Sequence, residues 1–313
     1  MKGLELARAY YEAHGKRMLK EQFPEVFPRL AVGLVGSGSE CYGYDDALSQ
    51  DHDFEPCFCI FLPGEDVVDR RTAFLLERAY AKLPKEFMGL KRSPVSPVGG
   101  DRHGVIRMED FFLSKTGTPD GVLSVEGWFS LPEYALLEAT AGEVFEDPYG
   151  RFTQIRAGLR YFPEDVRRKK LAGRLLLMGQ AGQYNFPRCL KRGDTAAAQL
   201  AVFEFAKSAI HCAYLLRGAY LPYYKWQFRG LRELSGLGGL AEPLETLISS
   251  PNTPDSGEGK LRMIEEICGT VCGELRAQEL LSFSGCEMER CAYAVNDTVS
   301  DPAIRNLHVL YGV

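Results

Sequence analysis

The segment from Gly38 to Asp53 constrains this chain more than any other, and it reads Gly-Ser-Glu-Cys-Tyr-Gly-Tyr-Asp-Asp-Ala-Leu-Ser-Gln-Asp-His-Asp. An apolar run over 31–35 precedes the segment, and a second apolar run over 58–62 follows it. Short apolar runs bounded by Gly, Ser and Asp are typical of buried strands. The pattern therefore predicts a first strand over 31–35, a glycine-serine turn with a loop, and a second strand over 53–62.

Two carboxylates end this segment, because Asp51 and Asp53 are separated by a single residue. Side chains two positions apart lie on the same face of a strand, so we expect the two carboxylates to converge. Paired carboxylates suit a hard divalent cation such as Mg²⁺, which they bind together with substrate phosphates. The glycines upstream allow backbone N–H groups to approach an anion closely. The segment therefore predicts a Mg²⁺ site beside a phosphate-binding turn.

The composition is that of a soluble globular protein with one large domain or two ordinary ones: 313 residues, of which 45% are hydrophobic and 25% are charged. A net charge of −5 argues weakly against nucleic acid or an anionic membrane as a partner, although it leaves a local basic cleft open. No apolar run approaches the roughly 18 residues that span a bilayer, and no signal peptide is recognisable. Nine cysteines without the spacing of a zinc ribbon indicate reduced thiols, so we expect a cytoplasmic protein with no membrane partner.

The two halves of the chain differ in their predicted secondary structure. Strands and helices alternate in the first half, which predicts a small mixed sheet with helices. Helical patterns dominate the second half, and the clearest covers 195–216, after a capping Asp194 and before Gly218. The predicted fold class is α+β, with a small mixed-sheet domain over 1–130 followed by an α-helical bundle over 131–313.

The pair Gly38-Ser39, a gap of eleven residues and the pair Asp51-x-Asp53 together resemble the signature of the nucleotidyltransferase superfamily (DNA polymerase beta-like). The resemblance implies that the backbone and hydroxyl of the Gly-Ser pair hold nucleotide phosphates and that the two aspartates bind Mg²⁺. In that superfamily the metal stabilises an in-line displacement at the α-phosphate of the nucleotide.

Two further features narrow this resemblance. Gly43 matches a glycine that commonly follows the Gly-Ser pair in the superfamily, and only the register on Gly38 matches it, not the alternative register on Gly36. The segment is also similar to the signature Gly-Ser-x-x-Tyr-Gly-Tyr-Asp-Asp-x-x-Ser-x-Asp-His-Asp of a family of uncharacterised bacterial nucleotidyltransferase-like proteins, and the similarity covers roughly residues 30 to 230. Those proteins resemble aminoglycoside nucleotidyltransferases in layout, which implies a catalytic α/β domain and a helical domain that closes the cleft.

A third carboxylate is where the chain departs from the superfamily. Active members place an acid on the third strand, but the corresponding run over 103–108 contains none. Glu126, at the end of an alternating apolar run over 122–126, is the first candidate for the catalytic base, with an ordinary solvent-facing Glu as the alternative. Glu109 is the second candidate, with a role at a helix start as its alternative. If neither serves, the metal-binding aspartates, a water or the substrate itself must activate the acceptor, or catalysis is weak.

Basic side chains in the helical half are candidates for binding the nucleotide. The resemblance to two-domain transferases implies that Arg192 and Lys225 neutralise phosphate charge, and Lys225 lies between Tyr224 and Trp226, which suit base stacking or helix packing. A solvated surface is the alternative for both. The basic run over 167–170 is predicted to be a solvated helix face.

The predicted function is the Mg²⁺-dependent transfer of a nucleoside monophosphate, with AMP from ATP as the first choice, to the hydroxyl or amine of an unidentified acceptor. A small-molecule acceptor such as an aminoglycoside fits the layout that the resemblance implies. Nucleotidylation of a protein or a tRNA is a second enzymatic hypothesis, although the acidic net charge makes tRNA less attractive. A third hypothesis is a nucleotide-binding regulatory protein without turnover, which the missing acid of the third strand suggests.

Overall fold

The structure is a computed structural model, and it describes residues 1–46, 54–92 and 103–313, with the backbone alone for residues 254 and 255. The chain divides into two compact units. The first unit comprises Met1–Ser124 and Leu131–Arg160, and the second comprises Val125–Ser130 and Tyr161–Val313.

A four-stranded sheet and a two-stranded ribbon lie in the first unit. The strands are β1 Ala31–Val35, β2 Cys59–Leu62, β3 Glu86–Phe87, β4 Leu90–Lys91, β5 Gly104–Arg107 and β6 Gly142–Glu146. The sheet order is β5-β2-β1-β6, in which β1 is antiparallel to both of its neighbours and β2 is parallel to β5. A small mixed sheet with many helices makes the fold α+β, as the sequence predicts.

The helices of the described chain carry most of both units. Those of the first unit are α1 Gly3–Tyr10, α2 Lys16–Gln22, α3 Ser39–Tyr42, α4 Arg70–Ala81, α5 Met108–Thr116, α7 Glu133–Thr140 and α8 Arg151–Gly158. Those of the second unit are α6 Val125–Ser130, α9 Glu164–Met178, α10 Phe186–Lys191, α11 Thr195–Leu216, α12 Gln227–Glu233, α13 Ala241–Ser249, α14 Pro254–Ala277, α15 Met288–Asp297 and α16 Pro302–Arg305. Short π-helical segments join α1 to α2 and α9 to α10, at Tyr11–Gly15 and Gly179–Asn185.

Helices cover both faces of the sheet. Successive side chains of a strand point alternately toward these two faces. On one face, Ile60 belongs to a buried cluster with Tyr10 and Tyr11 of the amino-terminal helices. On the other face, Phe61 stacks on Phe152 of α8 with ring centroids 4.0 Å apart. The central strands are therefore buried on both sides, which explains why β1 and β2 read as continuous apolar runs.

Strand pairing brings four connections to one end of the sheet. Gly33 of β1 pairs with Cys59 at the start of β2, and Cys59 pairs with Gly104 at the start of β5. Val35, at the end of β1, pairs with Gly142 at the start of β6. The chain that leaves β1 and the chains that enter β2, β5 and β6 therefore meet at the same end, which we call the Gly-Ser end of the sheet.

The sequence does not predict β6, and this strand changes the division of the chain. The compact unit that contains the sheet extends to Arg160, whereas the sequence places one boundary near residue 130. The reason is that residues 142–146 pair with β1 and tie the segment before and after them to the sheet. Of the second strand predicted over 53–62, the described residues 54–58 are not in a strand, and β2 covers Cys59–Leu62.

The basic run on α9 does not form the solvated face that the sequence predicts. Lys169 is fully buried and Lys170 is 4% exposed. The Lys169 ammonium donates to the side-chain oxygen of Asn296 at 2.7 Å and to the carbonyls of Arg305 and Leu307 at 3.0 and 2.6 Å. Because these acceptors lie far away in sequence, the spacing of charges on the helix alone does not reveal which face is buried.

Within the described ranges, none of the helices combines the length and the apolar character that crossing a membrane requires.

Candidate functional site

The turn after β1 depends on glycine. Gly36 and Gly38 have φ angles of 127° and 129°, a region that side-chain-bearing residues rarely adopt. A Cβ atom on Gly38 would also lie 2.3 Å from a carboxylate oxygen of Glu40. Ser39 then begins the one-turn helix α3, and Gly43 ends it with a φ of 73°. The Gly-Ser pair and the downstream glycine of the sequence motif thus build one compact turn at the Gly-Ser end of the sheet.

The loop that follows α3 is fixed to the amino-terminal helix by a buried carboxylate. Asp45 accepts a hydrogen bond from the backbone N–H of Gly3 at 2.8 Å, and its other oxygen lies 3.3 Å from the Lys2 ammonium. Lys2 also donates to the carbonyls of Gly43 and Asp45. Asp45 therefore has a structural role in positioning the chain just before the Asp51-x-Asp53 motif.

A buried carboxylate lies against an imidazole where the chain enters β2. The carboxylate of Glu55 is 3.1 Å from Nε2 of His103, and the Glu55 side chain is 5% exposed. His103 immediately precedes β5, so both residues belong to the Gly-Ser end of the sheet. Sequence reasoning missed Glu55, although the alternation Asp51-x-Asp53-x-Glu55 contains it.

The predicted metal ligands, Asp51 and Asp53, lie outside the described residues, so their roles stay predictions. Their described neighbours in sequence are Asp46 on one side and Phe54 on the other, and Phe54 is followed by the segment that enters β2 at the Gly-Ser end. Ser39 lies on α3 at the same end.

Hard oxygen donors are the chemically suitable ligands at this end of the sheet. Burial, with smaller contributions from the charges of Cys59, Glu55 and Glu40, raises the pKa of the Cys57 thiol. A protonated thiol is a poor metal ligand, whereas carboxylates and hydroxyls suit Mg²⁺. Within residues 1–46, 54–92 and 103–313, no group of three or more His, Cys, Asp or Glu side chains is arranged to hold a metal.

The two sequence candidates for the third carboxylate lie on helices rather than on β5. Glu109 is exposed in the first turn of α5, which follows the opposite end of β5. Its carboxylate lies beside Gly64, where an added Cβ atom would be 2.9 Å from it. Glu126 is exposed on the short helix α6 of the second unit, not on a strand. The third strand itself, β5, carries no acid, as the sequence indicates.

The two predicted basic groups are both exposed and both lie in the second unit. Arg192 follows the last residue of α10. Lys225 lies in a short 3₁₀ turn, with its ammonium 5.2 Å from the ring centroid of Trp226. Their exposure leaves both of them available to an anionic ligand, and their predicted role stays a prediction.

Comparisons with known proteins give two matches. Residues 128–227, about a third of the chain, match the domain family DUF4037, a domain of unknown function, and this segment includes Arg192 and Lys225. The crystal structure of a nucleotidyltransferase-like protein from Exiguobacterium sibiricum 255-15 aligns with 92% of this chain and with 82% of its own chain, at 12% sequence identity and a TM-score of 0.36. The comparison with curated proteins gave no match.

Proposed function

We propose that this protein is a Mg²⁺-dependent nucleotidyltransferase that moves a nucleoside monophosphate, AMP from ATP in the first instance, to an acceptor hydroxyl or amine. One observation carries the proposal. The glycine-dependent turn at Gly38-Ser39 follows β1, and antiparallel pairing of β1 with β2 brings this turn to the end of the sheet where the chain that follows Asp53 enters β2. A phosphate-binding turn and metal-binding carboxylates must be neighbours for such a reaction.

The proposed roles follow from the chemistry of each group. The backbone and hydroxyl at Gly38 and Ser39 hold the triphosphate, and Asp51 and Asp53 hold Mg²⁺. Bound Mg²⁺ would neutralise charge on the phosphate oxygens during in-line displacement. Glu55 supplies the third carboxylate that β5 lacks, and its contact with the His103 imidazole keeps it in place.

Two features of the charge distribution make the metal important to this proposal. The Glu40 carboxylate lies against Gly38, so a triphosphate at the turn meets a negative charge unless a cation intervenes. Arg192 and Lys225 are proposed to contribute positive charge toward the nucleotide, because both are exposed and basic. We therefore expect nucleotide binding to depend strongly on Mg²⁺.

The acceptor is proposed only as a class. A small molecule with hydroxyl or amine groups, such as an aminoglycoside, is the first choice, and a protein or a tRNA is the second. The net charge of −5 disfavours tRNA unless a basic surface offsets it.

Release of pyrophosphate from labelled ATP tests the proposal with a panel of these acceptors. We expect release to require Mg²⁺ and to fall by at least about a hundredfold in Asp51→Asn and Asp53→Asn. Asp110→Asn, a change at an exposed acid in the first turn of α5, is the matched control and should retain full activity. Equal activity in the motif variants and the control would exclude the proposed site.

A regulatory protein that binds nucleotide without turnover is the second candidate, because β5 carries no carboxylate. The two candidates differ in a single outcome. Binding of Mg²⁺-ATP without pyrophosphate release for any acceptor favours the regulatory protein, whereas release favours the transferase.

A further inference from the structure

Three cysteine thiols meet in the second unit, away from the proposed nucleotide site in sequence. Cys272 on α14 and Cys291 on α15 are both fully buried, and their sulfur atoms are 3.6 Å apart. Cys286, in the segment that joins the two helices, is the third member, because the Arg276 guanidinium lies 3.4 Å from its sulfur and also interacts electrostatically with the Cys272 and Cys291 thiols. We call these three residues the thiol cluster. All nine cysteines of the chain are free, so the cluster is in its reduced form.

Cys286 is the member of the thiol cluster that solvent reaches. It is half-buried and lines a cavity of about 580 Å³, together with Gln183, Tyr184 and Glu265. A small oxidant in this cavity therefore meets Cys286 before it meets the two thiols in the core.

A guanidinium group holds Cys286 in place and faces its sulfur. Arg276, at the end of α14, lies 3.4 Å from the Cys286 sulfur and donates to the carbonyls of Phe283, Ser284 and Gly285 at 3.0, 2.7 and 3.1 Å. The segment before α15 is thus fixed in a position that exposes one thiol next to a cation.

We propose that the thiol cluster is a site of oxidative modification, in which hydrogen peroxide oxidises Cys286 and Cys272 resolves the product as a disulfide. In the first step the Cys286 thiol takes one oxygen from hydrogen peroxide, which gives a sulfenic acid and one water. In the second step the Cys272 thiol attacks the Cys286 sulfur, which forms the disulfide and releases a second water. Two thiols lose two electrons and two hydrogens, and one peroxide is reduced to two waters.

Cys291 provides a further step, because it is the other neighbour of Cys272. Its hydrogen bond with Cys272, together with the positive charges of Arg276 and Arg290, lowers the pKa of the Cys291 thiol. Attack of the Cys291 thiolate on the Cys272 sulfur moves the disulfide into the core and returns a thiolate at Cys286. The oxidised protein then holds a disulfide between α14 and α15.

Treatment of the full-length protein with hydrogen peroxide tests this proposal by mass spectrometry. We expect the loss of two hydrogens and peptides in which Cys272 is bonded to Cys286 or to Cys291. In Cys286→Ser, disulfide formation should slow by at least about tenfold. In Cys272→Ala, a sulfenic acid should accumulate at Cys286 and should be trapped by dimedone.

Cys189 provides the matched control, because it is half-buried like Cys286 but lies on α10. Cys189→Ser should oxidise at the wild-type rate, and circular dichroism checks that each variant is folded. Two results would overturn the proposal: dimedone labelling of Cys189 as fast as that of Cys286, or disulfide formation that is as fast in folded Cys286→Ser as in the wild type.

Discussion

In the first unit the buried charged side chains are carboxylates, whereas in the second they are lysine ammonium groups, when the described residues are compared. Those of the first unit belong to Asp45, Glu55 and Glu133. Those of the second unit belong to Lys169, Lys170 and Lys260. The difference follows from the backbone groups in each unit that need a hydrogen-bond partner.

Each of the three lysines donates to carbonyls at or near the end of a helix. Lys169 binds the carbonyl of Arg305, which ends α16, and Lys170 binds that of Phe129 in the last turn of α6. Lys260 binds that of Ser250, which follows α13. The last carbonyls of a helix have no partner within the helix, and an ammonium group offers three donors. Burying lysine in a helical bundle therefore satisfies carbonyls that would otherwise lose a hydrogen bond.

In the first unit a buried carboxylate instead satisfies a donor at the start of a helix. Asp45 accepts a hydrogen bond from the backbone N–H of Gly3, the first residue of α1. Glu133 likewise lies in the first turn of α7, where a negative charge is favourable. Glu55 instead faces the imidazole of His103 at the Gly-Ser end of the sheet. Of these three acids, Glu55 is the one that we assign to the candidate site rather than to a helix start.

The largest expected effect is on the stability of the second unit. Lys169→Met should lower the free energy of unfolding by about 3 kcal/mol, because three buried oxygens lose their donor. Urea denaturation measures the change. Lys207→Met, which removes an exposed partner of Glu204, is the control and should change the free energy by less than about 1 kcal/mol. A Lys169→Met protein as stable as this control would contradict the structural role of the buried lysine.

The next prediction concerns the buried carboxylate at the Gly-Ser end. Glu55→Gln should lower the rate of pyrophosphate release by about a hundredfold, because the side chain keeps its size but loses its charge. Glu109→Gln should retain the wild-type rate, since Glu109 is exposed and follows the opposite end of β5, and Glu126→Gln tests the alternative base. Thermal melting of each variant separates lost activity from lost folding. Full activity in a folded Glu55→Gln protein, or a large loss in Glu126→Gln, would reverse the assignment.

Two glycine substitutions compare the residues that flank α3, Gly38 before it and Gly43 after it. Gly38→Ala should destabilise the protein by roughly 2 kcal/mol and weaken nucleotide binding, because its φ of 129° suits glycine and its Cβ would meet Glu40. Gly43→Ala should cost about 1 kcal/mol, because its φ of 73° lies in the left-handed helical region and no atom lies within 4 Å of the Cβ. Denaturation and ATP titration of both variants test this order, and an equal loss of nucleotide binding in both would argue against a special role for Gly38.

The smallest expected effect is a pH dependence in the second unit. Hydrogen bonds from Arg217 and Gln278 hold the pKa of Glu274 below its ordinary value of 4.5. A lowered folded-state pKa stabilises the protein above the unfolded pKa, and this contribution is lost as the pH falls through the folded pKa. Lowering the pH below 4.5 should therefore reduce the free energy of unfolding of Glu274→Gln less than that of the wild type. The difference should be under about 1 kcal/mol, because the pair is partly exposed. Glu233→Gln, at an exposed partner of Arg229, should follow the wild type.

Local signals in the sequence predict a substantial part of this fold. The strand over 31–35 and the helix over 195–216 have the predicted bounds, because an apolar run and a capping aspartate mark them directly. Asp194 accepts a hydrogen bond from the backbone of Ala197 at 3.0 Å, as a helix cap should. The absence of an acid from β5 is equally plain in the sequence.

Features that depend on partners far away in the sequence cannot be predicted from local sequence patterns. The strand β6 contains Glu143 and Glu146, whose charges obscure its pattern but pair with Arg8 and Lys16 of the amino-terminal helices. The burial of Lys169 depends on carbonyls more than a hundred residues away. For Glu55, the alternating acids were visible, but its burial beside His103 was not.

Isothermal titration of ATP with and without Mg²⁺ is the sharpest test of the proposed Mg²⁺-nucleotide site, because it requires no knowledge of the acceptor. We expect Mg²⁺-dependent binding to the wild type and to Asp110→Asn, and loss of that dependence in Asp51→Asn and Asp53→Asn. Binding of Mg²⁺-ATP to the motif variants as tight as to the wild type would contradict it.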